Sequence, residues 1–239
     1  VAANLNAIYF QVRPNSDALY KSSIFPTSEW LTGVQGSGLQ DNFDPLEYLV
    51  AAAHEKGIAV HAWINPLRVT VGSASAPQHD VTKLASNNPA RLHPEWTVAY
   101  ADGKLYYNPG IPEVWKLVAD GITEIVKNYD VDGVVFDDYF YPYPVAGAEF
   151  DDEKQFKEYG AGYGSIEDWR RDNINKLVKA SYDAVKAVNA NVQFGIAPGG
   201  IWQNDDGKNG GSATKGFETY KSLYADTLAW VKGGYVDYI

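Results

Sequence analysis

Neither cysteine nor methionine occurs in the 239 residues of this chain. With no thiol, neither a disulfide framework nor a thiolate metal site is open to it. Without even an initiator methionine, the N-terminus is expected to be processed, trimmed or incompletely represented, so the absence of a signal peptide at Val1 is uninformative. Long apolar runs are lacking as well, and none approaches the ~20 residues of a membrane span. Histidine is scarce: four are present, with no HxH or HExxH spacing. His54 and His93 suit a helix and a surface loop, and neither a metal nor an organic cofactor is expected. Basic charge is in deficit, giving a formal net charge of −10. Nucleic acid and anionic membrane surfaces would repel such a chain, whereas a neutral or cationic polysaccharide would not. No GxGxxG turn follows any apolar segment, which removes the usual phosphate cradle of dinucleotide-binding sheets.

What is abundant is aromatic: 14% of residues, with 7 Trp and 17 Tyr. That suits sugar stacking and equally suits a large core. The length allows one substantial core and does not demand two domains. Strand and helix signals alternate along it. Residues 7–13 read as a strand closed by Pro14. Asp44 and Pro45 then open a helix with Leu46, Leu49, Val50 and Ala53 on one face. Residues 58–64 form the next strand, followed by about 45 residues rich in Pro, Asn and Ser, too long for an ordinary connection and suited to building a site. Pro112 starts a second helix, and Ser165 with Asp168 resembles a capping box for a third. Further strands are predicted at residues 133–136, 192–197 and 235–239, with a helix at 220–231. Such βα repeats imply a parallel sheet. The expected fold class is α/β, a TIM-type (β/α)8 barrel represented in part by about five strands. A doubly wound sheet is the alternative.

The most telling stretch is Asp132-Gly133-Val134-Val135-Phe136-Asp137-Asp138-Tyr139-Phe140-Tyr141. A short buried strand ends in two carboxylates and an aromatic, proline-rich segment. In a β/α barrel, strand C-termini carry the catalytic groups. Two acids there supply the acid and the base or stabiliser that glycosidic cleavage needs, and aromatic faces hold pyranose rings. Phe136 suits the helix-facing layer, so Val135 and Asp137 should point inward. A blander reading makes the two acids caps in an acidic loop.

Several phrases resemble the glycosyl hydrolase-like 10 family of bacterial barrels. They are Gln11-Val12-Arg13-Pro14, Ala18-Leu19-Tyr20, His61-Ala62-Trp63-Ile64-Asn65-Pro66-Leu67-Arg68, Phe136-Asp137-Asp138-Tyr139-Phe140-Tyr141-Pro142, Trp169-Arg170-Arg171-Asp172-Asn173 and Gly195-Ile196-Ala197-Pro198-Gly199-Gly200-Ile201-Trp202. The resemblance runs in order along nearly the whole chain. It implies one glycoside-hydrolase-like β/α-barrel domain over residues 1–239, truncated at both ends relative to the family. It further implies an exported bacterial enzyme, periplasmic, extracellular or lipid-anchored, that digests peptidoglycan glycan strands stripped of peptides. The adjacent Asp137-Asp138 pair is also similar to barrel enzymes that remove O-linked N-acetylglucosamine with help from the substrate's own acetamido group.

Two mechanisms therefore stay open. Asp137 could be a covalent nucleophile served by a distant acid, or it could orient a substrate acetamido group that attacks in its place while Asp138 acts as acid and base. The second is preferred. The expected catalytic residues are Asp137 and Asp138. Expected substrate contacts are Arg13, Gln11, Trp63, Asn65, Arg68, Tyr139, Tyr141 and Trp202. Strand parity groups Gln11 and Arg13 with Tyr9, where Arg13 could keep an active-site carboxylate ionised or could simply tie the barrel end together. Trp63 reads as a sugar platform or a core residue, and Tyr139, Tyr141 and Tyr143 as subsite linings or self-packed loop. Arg170 and Arg171 read as a solvated pair or as bonds to a loop carbonyl. The competing function is a non-catalytic glycan-binding barrel, and a hydrolase of non-acetylated polysaccharide is a third.

Overall fold

The computed structural model describes residues 4–208 and 210–239. In chain order they form β1 (Ala7–Arg13), α1 (Glu29–Thr32), α2 (Pro45–His54), β2 (Ala59–Ile64), α3 (Pro89–Leu92), β3 (Thr97–Ala99), β4 (Leu105–Tyr107), α4 (Pro112–Asn128), β5 (Gly133–Phe136), α5 (Glu153–Tyr159), α6 (Ile166–Val188), β6 (Gln193–Ile196), α7 (Thr219–Ser222) and α8 (Thr227–Gly233). Strands β1, β2, β5 and β6 build one parallel sheet in that order, while β3 and β4 form a separate antiparallel hairpin inside the long loop after β2. Each sheet strand lies beside its predecessor, and α2, α4 and α6 supply the three crossovers. A doubly wound sheet reverses direction at a switch point; this one does not. The progression is that of a β/α barrel, present here as part of its circumference.

The helices start where the sequence places them, for local reasons. Asp44 accepts hydrogen bonds from the Leu46 and Glu47 amides at 3.0 and 3.3 Å, with Pro45 at the first helical position. Ser165 accepts from the Asp168 amide at 3.1 Å. The helix expected at 220–231 is two short ones instead. Tyr224 takes a left-handed backbone (φ 55°), and Asp226 caps a new start by accepting from the Ala229 amide at 3.1 Å. Likewise the strand expected at 235–239 is reduced to a bridge between Tyr238 and Gly195, reinforced by Asp237 N–H to Phe194 O at 2.8 Å. It extends the same strand order beyond β6.

The two faces of the sheet differ sharply. Val12, Val60, Ala62, Ile64, Val134, Phe136, Phe194 and Ile196 pack on the helices, against residues such as Leu46, Val118, Ile122, Leu177, Val178 and Trp230, in one continuous apolar core. The opposite face carries His61, Trp63, Val135 and Tyr238. Two glycines make room on it: a Cβ on Gly133 would meet the His61 ring at 2.2 Å, and one on Gly195 the Tyr238 ring at 2.1 Å. This alternation of ring and gap is how the narrow interior of a barrel is filled. His61 Nδ1 and the Tyr238 hydroxyl are 2.7 Å apart, and burial holds the imidazole below its ordinary pKa. Among the described residues no helix is long and apolar enough to cross a membrane.

Candidate active site

At the C-terminal ends of β2 and β5 the register sets Trp63 beside Val135 and Ile64 beside Phe136. The next inward positions are Asn65 and Asp137. Asp137 is buried, and its carboxylate is held from three directions. Trp63 Nε1 donates to Oδ2 at 3.0 Å, Asn65 Nδ2 reaches both oxygens at 3.2 and 3.3 Å, and the Tyr139 amide donates to Oδ1 at 3.3 Å. Asn65 is itself fixed, because its Oδ1 accepts the Arg68 amide at 2.9 Å. That bond also fixes which end of the amide faces the carboxylate. Burial raises the Asp137 carboxyl to about 6, against the opposing pull of the Trp63 bond, the Tyr139 amide, the Arg68 charge and the Asn65 bond. At neutral pH it is mostly ionised, and a small perturbation would protonate it.

Arg68 belongs to this group by charge, although its guanidinium is anchored elsewhere. Nε donates to Pro14 O at 3.1 Å and to Asn15 Oδ1 at 3.2 Å, and the group lies over the Tyr139 ring at 5.1 Å. Asp138 is half-buried on the rim and accepts a hydrogen bond from the Tyr143 hydroxyl. The structure thus brings together Asp137, Asp138, Trp63, Asn65, Arg68 and Tyr139. Gln11, paired with Trp63 in register, lies next to them on β1.

Three expected contacts lie elsewhere. Arg13 does not share the inward face. The Val12 carbonyl turns away from the sheet to accept the Leu19 amide at 2.8 Å, the register slips between Gln11 and Arg13, and Arg13 falls opposite Ile64. Its guanidinium sits in the core over Phe25 at 4.5 Å, against Gly121 of α4, and desolvation lowers its pKa. Tyr141 is buried, edge-on to Phe150 and Tyr224 at 5.2 and 5.0 Å, among the loops after β5 and β6. Trp202 is tied by Nε1 to Asp226 Oδ1 at 3.0 Å, at the start of α8, and meets the Tyr220 ring, with no bond to either acid. Arg170 bonds a loop carbonyl, Phe150 O, at 3.1 Å and also pairs with buried Asp152, while Arg171 pairs with Asp168. Asp152 escaped the sequence reading because nothing near it marks it as Arg170's partner 18 residues on. Asn15, which helps to hold Arg68, was marked only by the turn signal of Pro14-Asn15.

A cleft of about 490 Å³ opens among Gln35, Thr70, Gln78 and Lys83, in the loops that follow β1 and β2. Another of about 480 Å³ lies between Ser22, Asp44, Glu124 and Tyr129. Asp137 lines neither.

Comparison with known proteins bears on the family and the fold. The sequence pattern of the glycosyl hydrolase-like 10 family matches residues 2–239. The chain is 46% identical to glycosyl hydrolase YngK of Bacillus subtilis (strain 168), over 98% of this chain and 45% of that protein. It is 37% identical to glycosyl hydrolase DigH of Escherichia coli (strain K12), over 98% of this chain and 53% of that protein. It therefore spans about half the length of these curated relatives. Among solved structures, alpha-L-fucosidase isoenzyme 2 from Paenibacillus thiaminolyticus aligns with a TM-score of 0.54 at 19% identity, covering 83% of this chain and 28% of that one, a likeness of fold.

Proposed function

Because the chain belongs to the glycosyl hydrolase-like 10 family, we propose that it carries the catalytic acids of an exported bacterial glycoside hydrolase. Its substrate is an N-acetylated polysaccharide, peptide-free peptidoglycan glycan strands in particular. The observation that carries this reading is the Asp137 carboxylate, buried at the end of β5 and aimed by Trp63 and Asn65, with Asp138 next to it on the rim.

In the preferred mechanism the acetamido carbonyl oxygen attacks the anomeric carbon as the glycosidic bond breaks. Asp138 gives its proton to the departing oxygen. Asp137, ionised, orients the amide N–H and stabilises the positive charge of the cyclic intermediate. Asp138 then takes a proton from water, which opens the ring with overall retention. The three donors on Asp137 serve this role, since they fix its direction and favour the charged form. The same fixation also suits a covalent nucleophile, which keeps that second reading open.

Glycan strands with and without N-acetyl groups separate the two. Mass spectrometry of the products should show cleavage of the acetylated strands and far slower cleavage of de-N-acetylated ones. Asp138→Asn should lower turnover by roughly 10²–10⁴ with affinity nearly intact. Equal cleavage of both strand types, or a sugar ester trapped on Asp137 by a fluorinated substrate, would overturn the substrate-assisted mechanism. Binding without any cleavage would favour the non-catalytic glycan-binding barrel.

A further inference from the structure

Among the described residues, two pairs of large aromatic side chains stand exposed, and one of them touches the acids. Phe43 and Tyr48, 54% and 64% exposed, meet at a tilted 51° with ring centroids 5.6 Å apart, at the start of α2. Tyr143 and Phe217, 39% and 46% exposed, come from the separate loops after β5 and β6 and stack nearly flat, 5.2 Å apart at 22°. The Tyr143 hydroxyl donates to Asp138. Its ring also takes Tyr139 edge-on at 5.7 Å, and Tyr139 lies under the Arg68 guanidinium at 5.1 Å. A line of π-faces thus leaves the acids, crosses from one loop to the next and ends in solvent.

We propose that Tyr139, Tyr143 and Phe217 form a track on which successive sugars of the glycan chain stack as it leaves the cleavage site. In this arrangement the Tyr143 hydroxyl ties the track to Asp138. A pyranose ring offers an apolar C–H face of about one aromatic ring in width, which the free faces of offset, stacked rings take without a dedicated pocket. The loops contribute differently. Tyr143 joins binding to catalysis through its hydroxyl, whereas Phe217 offers only its face, at a distance from the reacting bond. The inference rests on the hydrolase reading above and extends it to several binding positions on one side of the scissile bond.

Steady-state cleavage of long peptide-free glycan strands tests it, on the intact protein with Phe217→Ala, Tyr143→Phe and, as a control from the other exposed pair, Tyr48→Ser. Phe217→Ala should raise KM about 3–10-fold, the loss of one stacking face, while kcat changes little. Tyr143→Phe keeps the ring, so KM should hold while kcat falls and its pH dependence moves. Tyr48→Ser should match wild type in both constants. Phe217→Ala at the wild-type KM would overturn the track, and Tyr143→Phe with an unchanged kcat and pH profile would overturn the tie to Asp138. A wild-type protein that fails to cut the strands at all overturns the hydrolase reading itself, a result the other two outcomes cannot mimic.

Discussion

Asp137 and Asp152 are both buried carboxylates in the region beyond β5, and they are held in opposite ways. Asp152 is enclosed completely and faces Arg170, whose Nε donates to its two oxygens at 3.2 and 3.0 Å. The same guanidinium bonds Phe150 O at 3.1 Å and the Tyr224 hydroxyl at 2.9 Å, and lies over the rings of Tyr141 and Tyr224. It thereby clasps the loop after β5 to the loop after β6. Asp137 has no arginine bonded to it. Its partners are an indole, an amide side chain and a backbone N–H, all neutral. A carboxylate neutralised by a bidentate cation has its charge spent on structure. One held by neutral dipoles keeps its charge available for a positive centre that forms during reaction. Position on the fold does not separate these two acids; the kind of partner does.

The sharpest way to break that comparison is to delete one member of each group. Arg170→Ala leaves Asp152 buried without its cation, an arrangement that costs about 3–5 kcal/mol. Chemical denaturation should show that loss, and turnover per folded molecule should fall far less than stability does. Asp137→Ala should do the reverse. Its turnover should drop by roughly 10³ or more, and denaturation at pH 7 should show little loss. Arg170→Ala with unchanged stability, or Asp137→Ala with unchanged turnover, would erase the distinction.

A smaller effect follows from the raised carboxyl of Asp137. Its folded pKa of about 6 exceeds the ordinary 3.8. Between those two values the folded protein binds more protons at this site than the unfolded chain. Stability contributed by this group is therefore full below pH 4 and is lost as pH rises through about 6, by roughly 2–3 kcal/mol. Asp137→Asn does not titrate, so the difference between wild type and variant should change by that amount across the window. Denaturant titrations at pH 4, 5, 6 and 7 measure it, and parallel curves for the two proteins would refute it.

How much of this could be read without coordinates depends on where local chemistry decides and where long-range contacts do. Helix starts at Asp44-Pro45 and Ser165 are governed by side chains within three residues, and they were legible. So was the inward direction of Asp137, because the pleat of β5 continues unbroken from Val134 through Phe136. Arg13 was not, since the bulge that turns it depends on the Val12 carbonyl finding the Leu19 amide, a pairing no alternation pattern encodes. Beyond Asp138 the chain turns, with Phe140 N–H donating to Asp138 O at 3.1 Å, and strand parity ceases to apply. Tyr139 and Tyr143 then face the rim while Phe140 and Tyr141 pack inward on Trp230, Phe150 and Tyr224. The place of Trp63 on the inward face was legible, but not its bond to Asp137. Whether an indole presents its face to a sugar or its N–H to a carboxylate depends on a neighbour 74 residues away.

That role yields the smallest and most specific expectation. Trp63→Phe keeps an aromatic ring on the inner face and removes only the N–H that donates to Asp137 Oδ2 at 3.0 Å. If Trp63 acts chiefly as a sugar platform, phenylalanine should lower affinity and leave the pH profile where it was. If it acts chiefly on the carboxylate, the charged form loses one of its donors, and the pKa of Asp137 must rise above its starting value of about 6. A hydrogen bond to a charged group is worth about 1.5–3 kcal/mol, so the shift should be on the order of one pH unit. The acidic limb of kcat/KM should move upward by that much, with activity largely recovered at pH 8, where the group is again ionised. Asn65 and the Tyr139 amide still hold the carboxylate in the variant, which keeps its direction and limits the loss at the optimum. A weakened affinity with an unmoved acidic limb would return Trp63 to the platform role and leave Asn65 as the principal side chain aiming Asp137.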